Sequence, residues 1–482
     1  GSLARARGHK KAAGRAETRR RRYASGEGFG LGTMGLPGTH LLVLGILIAI
    51  TVLILRCSKS RSCHGLWFLI LAWLVLCPYL APVIFEAQTQ EDEVHYFYTA
   101  DGARINLSRY RARNSVVGER KQSTTAPIIL CHGAFANRFT YDLGKGRPSL
   151  AKYLADKGHD VWTLELRGHG RSQKPAFFPT VFKQGKQEGG SWSVIKYIEQ
   201  DLPAALQYVK SHTQAKKVHW VGHSMGGIIL YSWLAFHMKN AKDFASIITM
   251  GSSLDHARVK EEEVKKVDEA IVANTTSAYH FLYVPRGLRS PGQAPFSWAN
   301  AIFAPVGGTF FDMFEGFQYG KTASRPEDIK VLLANNFESE PWQVVFDIHT
   351  VFSKPQGMLH PLTREPLLPM LNHSLPVPLL AFAGECDLQF KPAAVERTAH
   401  HLAATDTARY VRVINAGAGT DNCYGHYDLL IGKNAEKDVF EPVEEWIREV
   451  DNGQHWYPSQ EEACVTPQAQ EDVYGDMLTE DQ

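Results

Sequence analysis

The sequence offers no C-x-x-C spacing, and its seven cysteines are scattered and odd in number. That excludes a disulfide framework and a zinc site of the C-x-x-C kind, and leaves the redox compartment open. Net charge is nearly absent too: +2 over 482 residues. No nucleic-acid partner, metal or cofactor is expected. The small total hides an uneven distribution. Residues 451–482 have no Lys or Arg but eight acids, whereas residues 1–33 carry nine Lys/Arg against two Glu. Both ends lack apolar periodicity and read as disordered tails. The first methionine is Met34, directly before an apolar run, and residues 1–33 are expected not to be native to the mature protein.

Charge is missing altogether from two stretches of 21 residues, Gly35–Leu55 and Gly65–Phe85. Each matches the roughly 20 residues a helix needs to cross a bilayer core. Trp67 and Tyr79 lie towards the ends of the second run, where interfacial anchors belong. Residues 35–85 therefore read as a membrane hairpin joined by the connector Arg56–His64. Arg56, Lys59 and Arg61 favour a cytoplasmic connector and a lumenal or extracellular body, while Arg19–Arg22 pull the other way. Sequons at Asn106, Asn274 and Asn372 are compatible with a lumenal body.

With 44% hydrophobic residues the remaining chain can bury a large core. Val94–Thr99 and Ile105–Tyr110 alternate apolar and polar residues around Ala100-Asp101-Gly102-Ala103, which predicts an antiparallel hairpin. Strands are expected at 127–130, 160–166, at the run ending in Gly222, at 245–250, 377–383 and 409–414. Helices are expected before Gly158, over 191–212, after Ser224, over 393–402 and over 435–450. Such alternation makes a mostly parallel sheet with helices on both faces, whose active site gathers beyond the C-terminal strand ends. Between Ser252 and Leu375 the alternation stops. That stretch carries Phe296, Trp298, Phe303, Phe310, Phe311, Phe314, Phe317 and Tyr319, and reads as a helical cap or lid. The expected domains are a core of 94–251 and 376–450, interrupted by a lid of 252–375.

The chemistry centres on Gly222-His223-Ser224-Met225-Gly226, which follows an apolar strand and opens a helical pattern. This is the setting of a G-x-S-x-G nucleophile elbow, and a Cβ at Gly222 or Gly226 would collide with the crossing strand and helix. A serine hydroxyl needs a base, normally a histidine oriented by a buried carboxylate. The elbow predicts the chain order Ser, acid, His. Asp387 stands just past a strand end, 163 residues after Ser224, and His426 follows the next strand 39 residues later. Asp255, just past the preceding strand, is the rival acid. The oxyanion donors are expected to be the backbone N–H groups of Met225 and Ala134, or of Phe135 if the loop is shifted by one. Cys386 lies next to the acid and Cys423 near the base; they could approach each other, but two buried free thiols are the commoner outcome.

Together His132-Gly133-Ala134, Arg167-Gly168-His169-Gly170-Arg171-Ser172, the elbow, Asp387 and Gly425-His426 resemble the α/β-hydrolase superfamily. Within it they are similar to lipases and esterases, monoacylglycerol-lipase-like enzymes included, over about Val94 to Val450. Serine at 224 separates the chain from members, such as epoxide hydrolases and dehalogenases, that need aspartate there. The resemblance implies an α/β-hydrolase fold but no particular substrate. The expected function is a membrane-anchored serine hydrolase acting on carboxylic esters, lipids foremost, through an acyl-enzyme on Ser224. An acyltransferase with the same triad and a catalytically silent binding module are the alternatives. Oligomeric state is left open.

Overall fold

The computed structural model describes residues 72–73, 76–77, 80–113, 125–174, 192–256, 293–294, 323–354, 356–402, 409–414 and 423–453. Both terminal tails and the first apolar run lie outside this set. So do most of the second run, Asn274, and the aromatic residues expected in the lid.

Eight strands form one sheet, built from β1 (Glu93–Tyr98), β2 (Arg104–Tyr110), β3 (Ile128–Cys131), β4 (Val161–Glu165), β5 (Val218–His223), β6 (Phe244–Met250), β9 (Leu379–Gly384) and β10 (Arg409–Ile414). Their order is β1-β2-β4-β3-β5-β6-β9-β10. β1 pairs antiparallel with β2, and β2 antiparallel with β4. Every pairing from β4 to β10 is parallel. A separate two-stranded ladder joins β7 (Gln293–Ala294) to β8 (Glu340–Pro341).

The parallel strands are near-continuous apolar runs because both of their faces are covered. Along β3, Ile129 and Cys131 enter one hydrophobic cluster, Ile128 and Leu130 the other. β9 divides likewise, with Leu379, Ala381 and Ala383 on one face and Leu380 and Phe382 on the opposite one. Burying each large aliphatic side chain contributes about 1.5–3 kcal/mol. A slip of one residue would exchange the two faces, so the register is strongly specified.

The helices that cover the sheet are α1 (Leu150–Asp156), α2 (Leu202–Thr213), α3 (Met225–His237), α4 (Pro326–Asn335), α5 (Trp342–Ser353), α6 (Pro392–Leu402), α7 (Asp428–Ile431) and α8 (Glu441–Asp451). The Ser149 side chain accepts from Lys152 N and caps α1. α2 buries Leu202, Ala205, Leu206 and Val209, one helical stripe, and stops where Gln214 turns left-handed. On the other face α8 buries Val443, Trp446 and Ile447.

Three observations refine the sequence reading. Cys386 and Cys423 are not two free thiols but a disulfide. The Cys386 N–H bonds to Tyr424 O, so the two loops already run side by side and the Cα atoms lie 5.5 Å apart, within the range a disulfide spans. Asn106 is fully buried and its Nδ2 donates to His95 O, which removes this sequon from the accessible ones; Asn372 is exposed. Near the end of the second apolar run, Cys77 and Ala81 pack into the core, while Trp73, Leu76, Leu80, Val83 and Ile84 remain exposed. No helix among the described residues is long and apolar enough to cross a membrane.

Candidate active site

β5 delivers Ser224 into a turn with φ 52° and ψ −118°, and α3 begins at the next residue. Such a backbone is costly for a non-glycine residue and persists only where its surroundings over-determine it. Here Ser224 N donates to Met250 O at 2.9 Å, and Ser252 Oγ donates to Ser224 O at 2.9 Å. The glycines of the motif owe their places to crowding. A Cβ on Gly222 would lie 2.5 Å from the backbone of Gly226 and Gly227, and one on Gly226 would collide with the Cys131 carbonyl.

Beyond β9, Asp387 accepts from the backbone N–H groups of Gln389 and Phe390 at 2.8 and 3.0 Å through Oδ1. Its Oδ2 accepts from His426 Nδ1–H at 2.7 Å, and both side chains are almost fully buried. This leaves His426 Nε2 as the ring's basic nitrogen. His223, the residue before Ser224, donates from Nε2 to His426 O at 3.1 Å, which seats the His426 loop against the elbow. Burial and the neighbouring His426 push His223 well below the ordinary histidine range, so it stays neutral. Ser224 Oγ and His426 are not hydrogen-bonded in this structure. In unliganded sites that bond is often loose and tightens when substrate binds.

Asp255 is engaged elsewhere. Its carboxylate lies 2.9 Å from Arg397 Nε of α6 and accepts from Ser253 Oγ at 3.2 Å. Burial holds its pKa above the usual carboxylate range despite the Arg397 charge. Of the two candidate acids, the structure brings only Asp387 to the histidine.

The loop after β3 is equally specific. His132 accepts from Leu166 N–H at Nε2 (3.2 Å) and donates from Nδ1 to Gly133 O (2.8 Å), so it is a neutral tautomer whose pKa burial and His169 drive down. Phe135 has φ 58°, and its N–H donates to Glu340 Oε1 at 3.3 Å. That N–H is therefore occupied. Neither Ala134 N–H nor Met225 N–H has a backbone partner among the described residues. Two unspent donors on the loops flanking Ser224 are what an oxyanion site needs.

Two contributors were not visible in the sequence. Gly251, with φ 55°, ends β6 against the histidine–aspartate pair: a Cβ there would lie 2.9 Å from His426 Nδ1 and 3.0 Å from Asp387 Oδ2. A glycine closing a strand was a weak signal for it. Glu340 lies in no motif, and nothing local marked it.

A family model described as the alpha/beta hydrolase fold matches residues 126–273. Over that segment the chain is similar to the α/β-hydrolase superfamily. The match contains the elbow, whereas Asp387 and His426 lie beyond it. The sequence is 30% identical over 147 residues to a tear acid lipase-like protein of Mesocricetus auratus, covering 30% of this chain and 35% of that protein. It is 29% identical over 143 residues to the gastric triacylglycerol lipase of Bos taurus, covering 29% and 34%. The chain thus spans about a third of the length of these curated relatives. Among solved structures, a thermophilic esterase from Thermogutta terrifontis is 16% identical with a TM-score of 0.41, covering 74% of this chain and 99% of its own, a likeness too loose to carry weight.

Proposed function

We propose that this α/β hydrolase is a membrane-anchored serine hydrolase that cleaves carboxylic esters of lipids. The observation that carries the reading is the buried 2.7 Å bond between His426 Nδ1 and Asp387 Oδ2, seated beside an elbow serine at φ 52°. In the proposed reaction His426 Nε2 takes the Ser224 proton as Oγ attacks the ester carbonyl carbon. The carbonyl oxygen becomes an oxyanion, held by the N–H groups of Ala134 and Met225. Collapse breaks the ester C–O bond, and the departing alcohol takes the proton from His426. Water then attacks the acyl-Ser224 ester with His426 again as base, releasing the acid and restoring the serine.

Lipid as the substrate class is supported by the lipase names of the relatives. Membrane anchoring through residues 35–85 is supported by the two uncharged runs and by the exposed Trp73, Leu76, Leu80, Val83 and Ile84 at the end of the second. The Cys386–Cys423 disulfide favours a lumenal or extracellular body, since disulfides persist in oxidising compartments. Residues 252–375 are proposed to act as a lid; their described part, including α4 and α5, packs onto the core.

Ser224→Ala removes the nucleophile and little volume. Fluorophosphonate labelling should be lost and turnover of a lipid-ester panel should fall to the residual left by binding and oxyanion donors, with thermal stability unchanged. Near-normal esterase activity in a folded Ser224→Ala protein would end the assignment. On the compartment, Asn372→Gln should remove an endoglycosidase-sensitive mass shift from protein made in a secretory host, whereas Asn106→Gln should not. Absence of any glycan-dependent shift at Asn372 counts against a lumenal body.

A further inference from the structure

Glu340 is a charged side chain with no exposed surface, held far from its own neighbours in sequence by contacts to three other segments. Its Oε1 lies 3.0 Å from His169 Nε2 and accepts from Phe135 N–H at 3.3 Å; its Oε2 accepts from Tyr197 Oη–H at 2.8 Å. An unpaired carboxylate at this depth would cost several kcal/mol. Here each oxygen has a donor. Burial alone would depress His169, but the facing Glu340 charge outweighs it and raises the imidazole above its ordinary value.

Two contacts meet on one residue, Phe135. Besides the Phe135 N–H bond to Glu340, Phe135 O accepts from Glu338 N at 2.6 Å. The Glu338 side chain in turn accepts from Asn137 Nδ2 at 3.1 Å and from Gly170 N at 3.0 Å. The segment 338–340 therefore grips Phe135 on both sides while that residue sits at φ 58°, outside the ordinary range for an aromatic. Turning the Phe135 N–H towards Glu340 uses up the rival donor of the loop. It also anchors the Ala134–Phe135 peptide plane next to the Gly133–Ala134 peptide, whose Ala134 N–H has no backbone partner among the described residues.

We infer that Glu340 is a positioning residue for the oxyanion site: through Phe135 it holds the loop after β3 so that Ala134 N–H faces the reacting carbonyl. The role rests on the hydrolase reading above. It makes the inserted segment part of the catalytic apparatus, because the carboxylate that sets the donor comes from residue 340, whereas the donor comes from residue 134. His169 of the Arg167–Ser172 loop supplies the compensating charge.

The test compares Glu340→Gln with Asp347→Asn. Asp347 is a buried carboxylate on α5 that accepts from Ser193 Oγ and Val194 N and does not touch the oxyanion loop. An oxyanion donor acts in the transition state and not on the bound substrate. Losing one outright costs about 10²–10³ in kcat, so misaiming one should cost about ten- to hundredfold. Glu340→Gln should therefore lower kcat on a soluble ester by that factor and weaken a trifluoromethyl ketone inhibitor in parallel, with KM within about twofold. Asp347→Asn should lower the melting temperature and leave the inhibitor's affinity alone. Tyr197→Phe, which removes one donor to Glu340, serves as the milder variant if Glu340→Gln does not fold, and should show the same parallel loss at smaller size. A Glu340→Gln or Tyr197→Phe protein that loses stability while keeping kcat and inhibitor affinity overturns the role. Fluorophosphonate labelling of the unaltered protein separates the two claims. If it is inert, the hydrolase reading and this role both fall; if it labels and the variants match it in kcat and inhibitor affinity, only this role falls.

Discussion

Asp387 and Asp255 are both buried carboxylates just past strand ends, and only their partners tell them apart. Asp387 faces the imidazole N–H of His426, whereas Asp255 is neutralised by Arg397. Replacing Asp387 by Asn should cost about 10⁴ in kcat, because an amide at that place permits the wrong imidazole tautomer. Asp255→Asn should cost less than about tenfold, since it breaks an ion pair with a half-exposed arginine and leaves His426 untouched. Steady-state kinetics of the two variants decide it, and the reverse ranking would move the acid to 255.

At the scale of elements, the site is assembled from loops whose mutual placement is fastened covalently as well as by hydrogen bonds. The Cys386–Cys423 disulfide joins the acid loop to the base loop across a sequence separation of 37. Removing it with Cys386→Ser should cost about 2–4 kcal/mol, much of it through the gain in unfolded-chain entropy. The loss in kcat should stay below about tenfold, because Asp387 keeps the Gln389 and Phe390 donors that hold its carboxylate. Melting temperature and kcat, measured with and without reductant, check both statements. An unchanged melting temperature would show that the bridge does not constrain the loops.

For the whole molecule, the decisive boundary lies between the body and the proposed anchor. Cys77 and Ala81 are core residues, and Asn335 Nδ2 donates to Phe85 O at 2.8 Å, so these three residues at the end of the second run belong to the body. A truncation that respects this removes residues 1–71. It should keep fluorophosphonate reactivity and leave the membrane pellet after a carbonate wash. On insertion scales each central Leu, Ile, Val or Phe of the first run, which the truncation removes whole, favours the bilayer by about 0.3–0.6 kcal/mol, which sums to a clear preference. Retention of the truncated protein in the pellet would transfer the anchoring role to the body. Release of the full chain by carbonate would mean that the hairpin does not insert.

The sheet and the position of its serine were legible from the residue pattern. Apolar runs of strand length, separated by helical stripes, have few ways to bury themselves other than a sheet covered on both faces. Gly-x-Ser-x-Gly between strand and helix is legible because its glycines answer to backbone crowding within a few residues. Contacts between segments distant in the chain came from packing instead. It joined Asp387 rather than Asp255 to His426, paired two cysteines expected to be free, buried Asn106, and brought Glu340 to Phe135 from 205 residues away. Each is a contact between loops, and loops carry no periodicity from which a partner can be read. Their partners are fixed when the packed sheet sets the distances between strand ends.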